Sequence, residues 1–255
     1  MTTPLPADAP SPRRAYPLVT ILIIAVVVLG SLLLLTGLLL YPAIRAARDA
    51  ARASLCQLHL KQIVMAIQTY NDANRSYPPA YIADADGKPM HSWRVLILPY
   101  LGDPVGNEVY ESYRFDEPWN SEHNAALAAK MPDVFRCRND PADTAETHYL
   151  ALVGEDTMWP GDQPTSFRDL RDGVANVISV VEAGATAVPW LEPRDIAPED
   201  FLAELAEPSH RQGTTVATAD SRAFRLRPDA PSSLVYGMTT RAGGERIDES
   251  EVMDF

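Results

Sequence analysis

Residues Leu18 to Tyr41 form 24 consecutive positions without a charged side chain, and this run constrains the chain more than any other feature. At ~1.5 Å rise per residue such a helix reaches roughly 36 Å, enough to cross a hydrocarbon core of about 30 Å. A cleaved signal peptide has an apolar stretch of only about 7–15 residues and a small-residue cleavage site. Here the run is longer, Pro17 and Pro42 bracket it, and Arg45, Arg48 and Arg52 follow in a helix-favouring segment. Residues 18–41 therefore read as an uncleaved single-pass anchor, preceded by a proline-rich disordered cytoplasmic tail at 1–17. Arg13 and Arg14 on one flank and three arginines on the other leave the positive-inside count balanced. Long domains translocate largely regardless of charge, so residues 42–255 are expected outside the cytoplasm, held at the cell membrane.

The 214 residues from Pro42 onward suffice for one sizeable domain. The whole chain carries 22 basic and 34 acidic residues. Nucleic acid is not an expected partner, because the phosphate backbone needs clustered cations. The one basic cluster, Arg45 to Lys61, lies next to the bilayer and is suited to lipid head groups. Cys56 and Cys137 are the only cysteines. In an oxidising compartment they are expected to form one disulfide; two unrelated buried thiols are the alternative.

Ala43 to Asn71 reads as a continuation of the anchor helix, with Ala46, Ala47, Ala50, Ala51 and Ala53 as strong helix formers. Ile44, Ala47, Ala51, Leu55, Leu58, Met65 and Tyr70 recur at roughly helical spacing, a stripe that needs covering. Leu55, Leu58 and Met65 are expected to be buried against a sheet, since an exposed stripe of that length invites aggregation. Tyr77-Pro78-Pro79 ends the helix. Beyond it the pattern becomes short segments divided by turns. Ser92 to Leu98 is ambiguous between strand and helix, and Ser121 to Lys130 is a modest helix with Ser121 as cap. His148 to Val153 and Val174 to Val181 read as strands, and Thr214 to Ala219 with Arg222 to Leu226 as a hairpin around Asp220-Ser221. The fold class is α+β: one long transmembrane-plus-soluble helix packed on a small, mostly antiparallel sheet.

The run from Leu40-Tyr41-Pro42 through Arg45-Ala46-Ala47-Arg48 to Cys56, then Leu60-Lys61-Gln62-Ile63, carries a resemblance. It continues through Tyr77-Pro78-Pro79-Ala80, Ser92-Trp93-Arg94-Val95, Leu98-Pro99-Tyr100 and Glu117-Pro118-Trp119-Asn120. It resumes at Asp172-Gly173-Val174-Ala175-Asn176, Val188-Pro189-Trp190, Asp220-Ser221 and Gly243-Gly244-Glu245. In this order the segments resemble the large planctomycetal family of unknown function whose N-termini look like type IV prepilins. The resemblance implies a pilin-like or pseudopilin-like fold, anchored and extracytoplasmic, and no settled activity. The chain departs from it at the start: the Gly-Phe-Thr-Leu-Ile-Glu pattern of true prepilins is absent, and Ala25, or Thr20 in a shifted frame, stands where the acidic residue belongs. Ordinary fibre assembly and prepilin cleavage are therefore not expected, and the mature chain is expected to begin at Met1 or Thr2. The family's Asp-Gly-Ser turn appears as Asp220-Ser221-Arg222, and its His-Gly-Gly region as His210-Arg211-Gln212-Gly213.

Motifs for chemistry are missing. There is no Gly-x-Ser-x-Gly elbow, His-Glu-x-x-His, phosphate-cradling glycine loop or Cys-x-x-Cys, so no catalytic, cofactor-binding or metal residue is assigned and the chain does not read as an enzyme. His91, His123, His148 and His210 are scattered singly. Asp84-Ala85-Asp86-Gly87 resembles the opening of a calcium loop but lacks the closing Glu, which favours a plain turn. Asp116, Glu117 and His123 are a weaker oxygen-rich grouping. Trp93, Trp119, Trp159 and Trp190 suit core packing better than a ligand groove. Three functions follow in order: an anchored structural or assembly protein acting through protein contacts or self-association of the long helix, an anchored solute- or glycan-binding protein, and an enzyme. The first predicts an apolar helix face left exposed and no deep pocket; the second requires a concave site with converging polar groups.

Overall fold

The computed structural model describes residues 18–137, 143–206, 213–227 and 229–254. The expected tail at 1–17, and His210 to Gln212 of the segment that replaces the His-Gly-Gly region, lie outside the described residues. The chain divides into two units at Arg48 and Asp49.

Helix α1 spans Leu18–Asn74, with Pro42 inside it. Alanine-rich and straight-chain residues favour it throughout. It ends where Arg75 turns left-handed at φ 62° and its N–H reaches back to Asn71 O at 2.8 Å. That is the single-bond form of helix termination, and Pro78-Pro79 prevents a restart. Short elements follow: β1 (Tyr81–Ala83), β2 (Pro89–Ser92), α2 (Trp93–Leu96), α3 (Pro104–Ser112) and α4 (Glu122–Ala126). The ambiguous Ser92–Leu98 segment is helical because the Ser92 hydroxyl accepts the Arg94 N–H and caps it. Ser121 caps α4 in the same way, accepting the Asn124 N–H at 3.1 Å.

The remaining elements are β3 (Glu146–Thr147), β4 (Tyr149–Ala151), β5 (Ile178–Glu182), β6 (Val188–Pro189), α5 (Pro198–Glu204), β7 (Thr215–Thr218), β8 (Ala223–Leu226), α6 (Ser232–Gly237), α7 (Glu249–Val252) and β9 (Met253–Asp254). The main sheet is antiparallel with five strands in the order β4-β5-β7-β8-β9; β1 pairs with β2 and β3 with β6. Successive side chains leave opposite faces of a strand, and the sheet uses both faces. Tyr149, Ala151, Val180 and Ala217 pack with Cys56, Leu60, Ile63 and Ile67 of α1. Leu150, Val181, Val216 and Phe224 pack with Phe201 of α5 and with Val235 and Met238 at α6. The result is helix, sheet, helices: an α+β architecture with two apolar layers.

Two expectations need correction. The strand expected from Val174 begins at Ile178, because the turn at Asp172-Gly173 runs on: Asn176 donates its N–H to Gly173 O and its side-chain amide to Asp172 O. Leu55, Leu58 and Met65 are not buried; they are 39%, 48% and 51% exposed. The sheet takes the opposite face of α1, through Cys56, Leu60, Ile63 and Ile67. Leu58 and Leu60 differ by two positions, about 200° around the helix, so only one of them can face the strands. The hairpin forms as expected, with Ser221 in the left-handed region at φ 68°.

Candidate functional site

Below Arg48, α1 presents an outer stripe to solvent. Ala51, Leu55, Leu58, Gln62, Met65 and Thr69 recur at spacings of four and three, all exposed. This is the 3.5-residue repeat that seats one helix against another. The inner stripe has the same spacing and is spent on the sheet. Gln57 and Gln68 fasten the flank, donating their amides to Ala223 O and Ala219 O.

Beneath the inner stripe lies the expected cysteine pair. Cys56 from α1 and Cys137, just after the 3-10 turn at Asp133–Phe135, bring their sulfurs to 3.7 Å, both buried. A covalent bridge requires the sulfurs to close to about 2.05 Å. The Cys137 thiol donates to Glu182 Oε1 at 3.3 Å, and Glu182 ends β5 fully buried. Cys56, Cys137 and Glu182 place their ligand atoms within 4.8 Å of one another. Two thiols and a carboxylate are also a donor set that zinc accepts. Burial, followed by Glu182 and the thiols close by, pushes the Tyr149 hydroxyl well above its ordinary range. Sequence reading missed Glu182, because a carboxylate at the end of the strand Ile178–Glu182 carries no local sign of which way it points.

A second buried centre joins the short segments to the sheet. Arg94 Nη2 meets Asp195 Oδ1 at 2.6 Å with both side chains almost wholly buried. Asp195 also accepts from Trp93 Nε1 and, at 2.8 Å, from the Ala151 N–H, while Arg94 donates to Tyr149 O and Ser92 Oγ. Burial pushes the Asp195 carboxyl up and the Arg94 guanidinium down, each opposed by the other's charge. With every polar partner in place the pair acts as a positioning lock for three separate segments.

The other candidates do not assemble. Asp84 Oδ1 accepts the N–H groups of Asp86 and Lys88, and Gly87 sits at φ 80°, so this motif is a closed turn. Glu117 pairs with Arg114 while the His123 ring meets Ser112 O, and these do not converge with Asp116 on a common point. Trp93, Trp159 and Trp190 are core residues. His91 is buried: Phe115 O can only accept, so Nε2 carries the proton, and Nδ1 accepts the Tyr113 hydroxyl at 2.9 Å. Burial lowers the His91 pKa, against the pull of the Phe115 carbonyl.

No curated protein and no solved structure matches the chain. A family model described as "Protein of unknown function (DUF1559)" matches residues 45–219, from just ahead of the outer stripe through β7, a span that includes Cys56, Cys137, Glu182, Arg94 and Asp195. With more than half of its length matched, the chain belongs to this DUF1559 family.

Proposed function

We propose that this is a membrane-anchored structural or assembly protein of pilin-like fold, single-pass, with residues 42–255 outside the cytoplasm, working through protein contacts along α1. The observation that carries the reading is the outer stripe: Leu55, Leu58 and Met65 are large, apolar and exposed on a helix whose opposite face is already packed. An apolar face of this length on a soluble surface marks an interaction site. The anchor reading is supported by Leu18–Tyr41, where the Ser31 and Thr36 hydroxyls fold back onto Val28 O and Leu32 O at 2.9 and 2.8 Å. Polar groups satisfied within their own helix are tolerated in hydrocarbon. Prepilin-like ancestry fits the long helix on a sheet, while Ala25 in place of an acidic residue speaks for a bitopic subunit rather than a fibre subunit.

Oxidative crosslinking in native membranes tests it. Leu58→Cys and Met65→Cys should give crosslinked dimers or a crosslinked partner, whereas Glu146→Cys, on the two-stranded sheet, should not. No product at either stripe position would refute the reading, and modification of Glu146→Cys by a membrane-impermeant thiol reagent in intact cells checks the topology.

A further inference from the structure

A groove of about 560 Å³ runs between the flank of α1 and the β8–β9 end of the sheet, lined by Leu58, Phe224 and Met253 with Lys61, Arg222 and Arg225 at its edge. The three cations are not equivalent. Arg222 is neutralised at home, with Nε on Asp220 Oδ2 at 2.8 Å and Nη1 on Glu249 Oε1 at 2.9 Å. Lys61, exposed on α1, and Arg225, half-buried on β8, form no ion pair among the described residues. The Arg225 Nε is buried without a hydrogen-bond partner among those residues.

We infer that this groove binds an acidic segment of a partner protein, with carboxylates meeting Arg225 and Lys61 and a large apolar side chain seated against Leu58 and Phe224. The inference rests on the reading that the globular unit works through protein contacts, and it names the chemistry of one of them. Complementarity carries it: in a chain of net charge −12, these two cations lack an ion-pair partner among the described residues and frame an apolar floor. A planar guanidinium takes a carboxylate through two parallel hydrogen bonds, and an ammonium adds a second point of charge. Two cations are too few for a nucleic-acid backbone, which needs many phosphate contacts, and a lipid surface would not use the apolar floor between them.

The test uses the full chain in uncharged detergent and a fluorescein-labelled 12-residue peptide alternating Glu with Leu and Phe, read by anisotropy. Two control peptides carry Lys for Glu, or Ser for the apolar residues. The acidic apolar peptide should bind at least tenfold tighter than either control, and weaken as NaCl is raised. Lys61→Glu, at an exposed helix position that leaves folding intact, should weaken it at least tenfold. Arg225→Gln should do the same, and Lys130→Glu, outside the groove, should not. Equal binding of the Glu and Lys peptides, or unchanged affinity in Lys61→Glu, overturns the inference. So does Lys61-dependent binding of phosphatidylglycerol vesicles or of a 20-nucleotide single strand without binding of the acidic peptide. Crosslinking at Met65→Cys, repeated in the Lys61→Glu background, separates the two claims. Its persistence leaves the helix-contact reading standing when the groove fails, and its absence removes that reading while peptide binding is scored independently.

Discussion

Leu58 and Leu60 differ by two positions on α1 and by half a turn in what they touch, so truncating each in turn measures which face the sheet has taken. Leu60 is 0% exposed and packed in the layer with Tyr149 and Val180. Leu60→Ala loses a full side-chain transfer of about 1.5–3 kcal/mol plus the cavity left behind, and such changes typically cost about 2.7–5 kcal/mol. Leu58 keeps 48% of its surface in water, which halves the transfer contribution and leaves no closed cavity. Leu58→Ala should therefore cost about 1 kcal/mol or less. The assay is urea unfolding of the full chain in detergent, followed by tryptophan fluorescence. All four tryptophans lie beyond Arg48, so the signal reports on the globular unit alone. At unchanged m-value the midpoints give the difference directly. Equal losses for the two variants, or a larger loss for Leu58→Ala, would refute the assignment of inner and outer faces.

The Cys56–Cys137 pair is proposed to close as a disulfide when the protein is taken from cells: intact mass under non-reducing conditions should fall 2 Da below the dithiol, and the bridge, closing a separation of 81 residues, should contribute about 4 kcal/mol on the chain-entropy model. Two alkylatable thiols after denaturation would remove the proposal, and a retained metal mass would replace it with coordination. Asp195→Asn leaves the buried Arg94 charge without its counter-ion and should cost about 3–5 kcal/mol by the same urea assay. Because the folded His91 pKa is lowered, its contribution is fully present above the unfolded value of about 6.5 and is lost as pH falls below it. The drop in Tm between pH 7.5 and pH 5 should therefore shrink in His91→Gln, and an identical drop would exclude His91 as a source. Ser221→Gly relieves a left-handed residue and should stabilise the hairpin by about 1 kcal/mol; a lower Tm would show that the Ser221 side chain matters more than its backbone.

The long helix and the β7–β8 hairpin were legible because each rests on local signals: alanine-rich propensity, a double proline stop, and a turn pair between alternating runs. Which face of α1 is buried was not legible. Residues 53, 56, 60, 63 and 67 and residues 51, 55, 58, 62, 65 and 69 follow the same spacing, so periodicity alone cannot rank them. The larger side chains Leu55, Leu58 and Met65 drew the expectation to the wrong stripe, whereas the sheet packs on the stripe of Cys56, Leu60, Ile63 and Ile67. The cysteine pair was readable from its count, since no other pairing exists. Its neighbour Glu182 was not, because a strand-end carboxylate points inward or outward according to a register set by β4 and β7. The Arg94–Asp195 lock joins residues 101 apart in sequence, a contact that no local rule reports.

Pro42, inside α1, sets a depth gauge for the bilayer. A proline has no N–H, so the carbonyl of Leu38, four residues back, loses its helical partner. In hydrocarbon an orphan carbonyl costs several kcal/mol, whereas at the head-group level water satisfies it. On the proposed anchor the lipid-immersed stretch would therefore close near Leu38 rather than at Tyr41, and Leu18 to Leu38 spans roughly 31 Å at ~1.5 Å per residue, close to a full hydrocarbon thickness. Tyr41 and Arg45, whose guanidinium carbon stands 4.5 Å from the ring centroid, then fall in the interfacial band where aromatic and basic side chains hold a helix against sliding. The proline that sequence reading takes for a bracket would, on the proposed anchor, mark where the chain leaves oil for water.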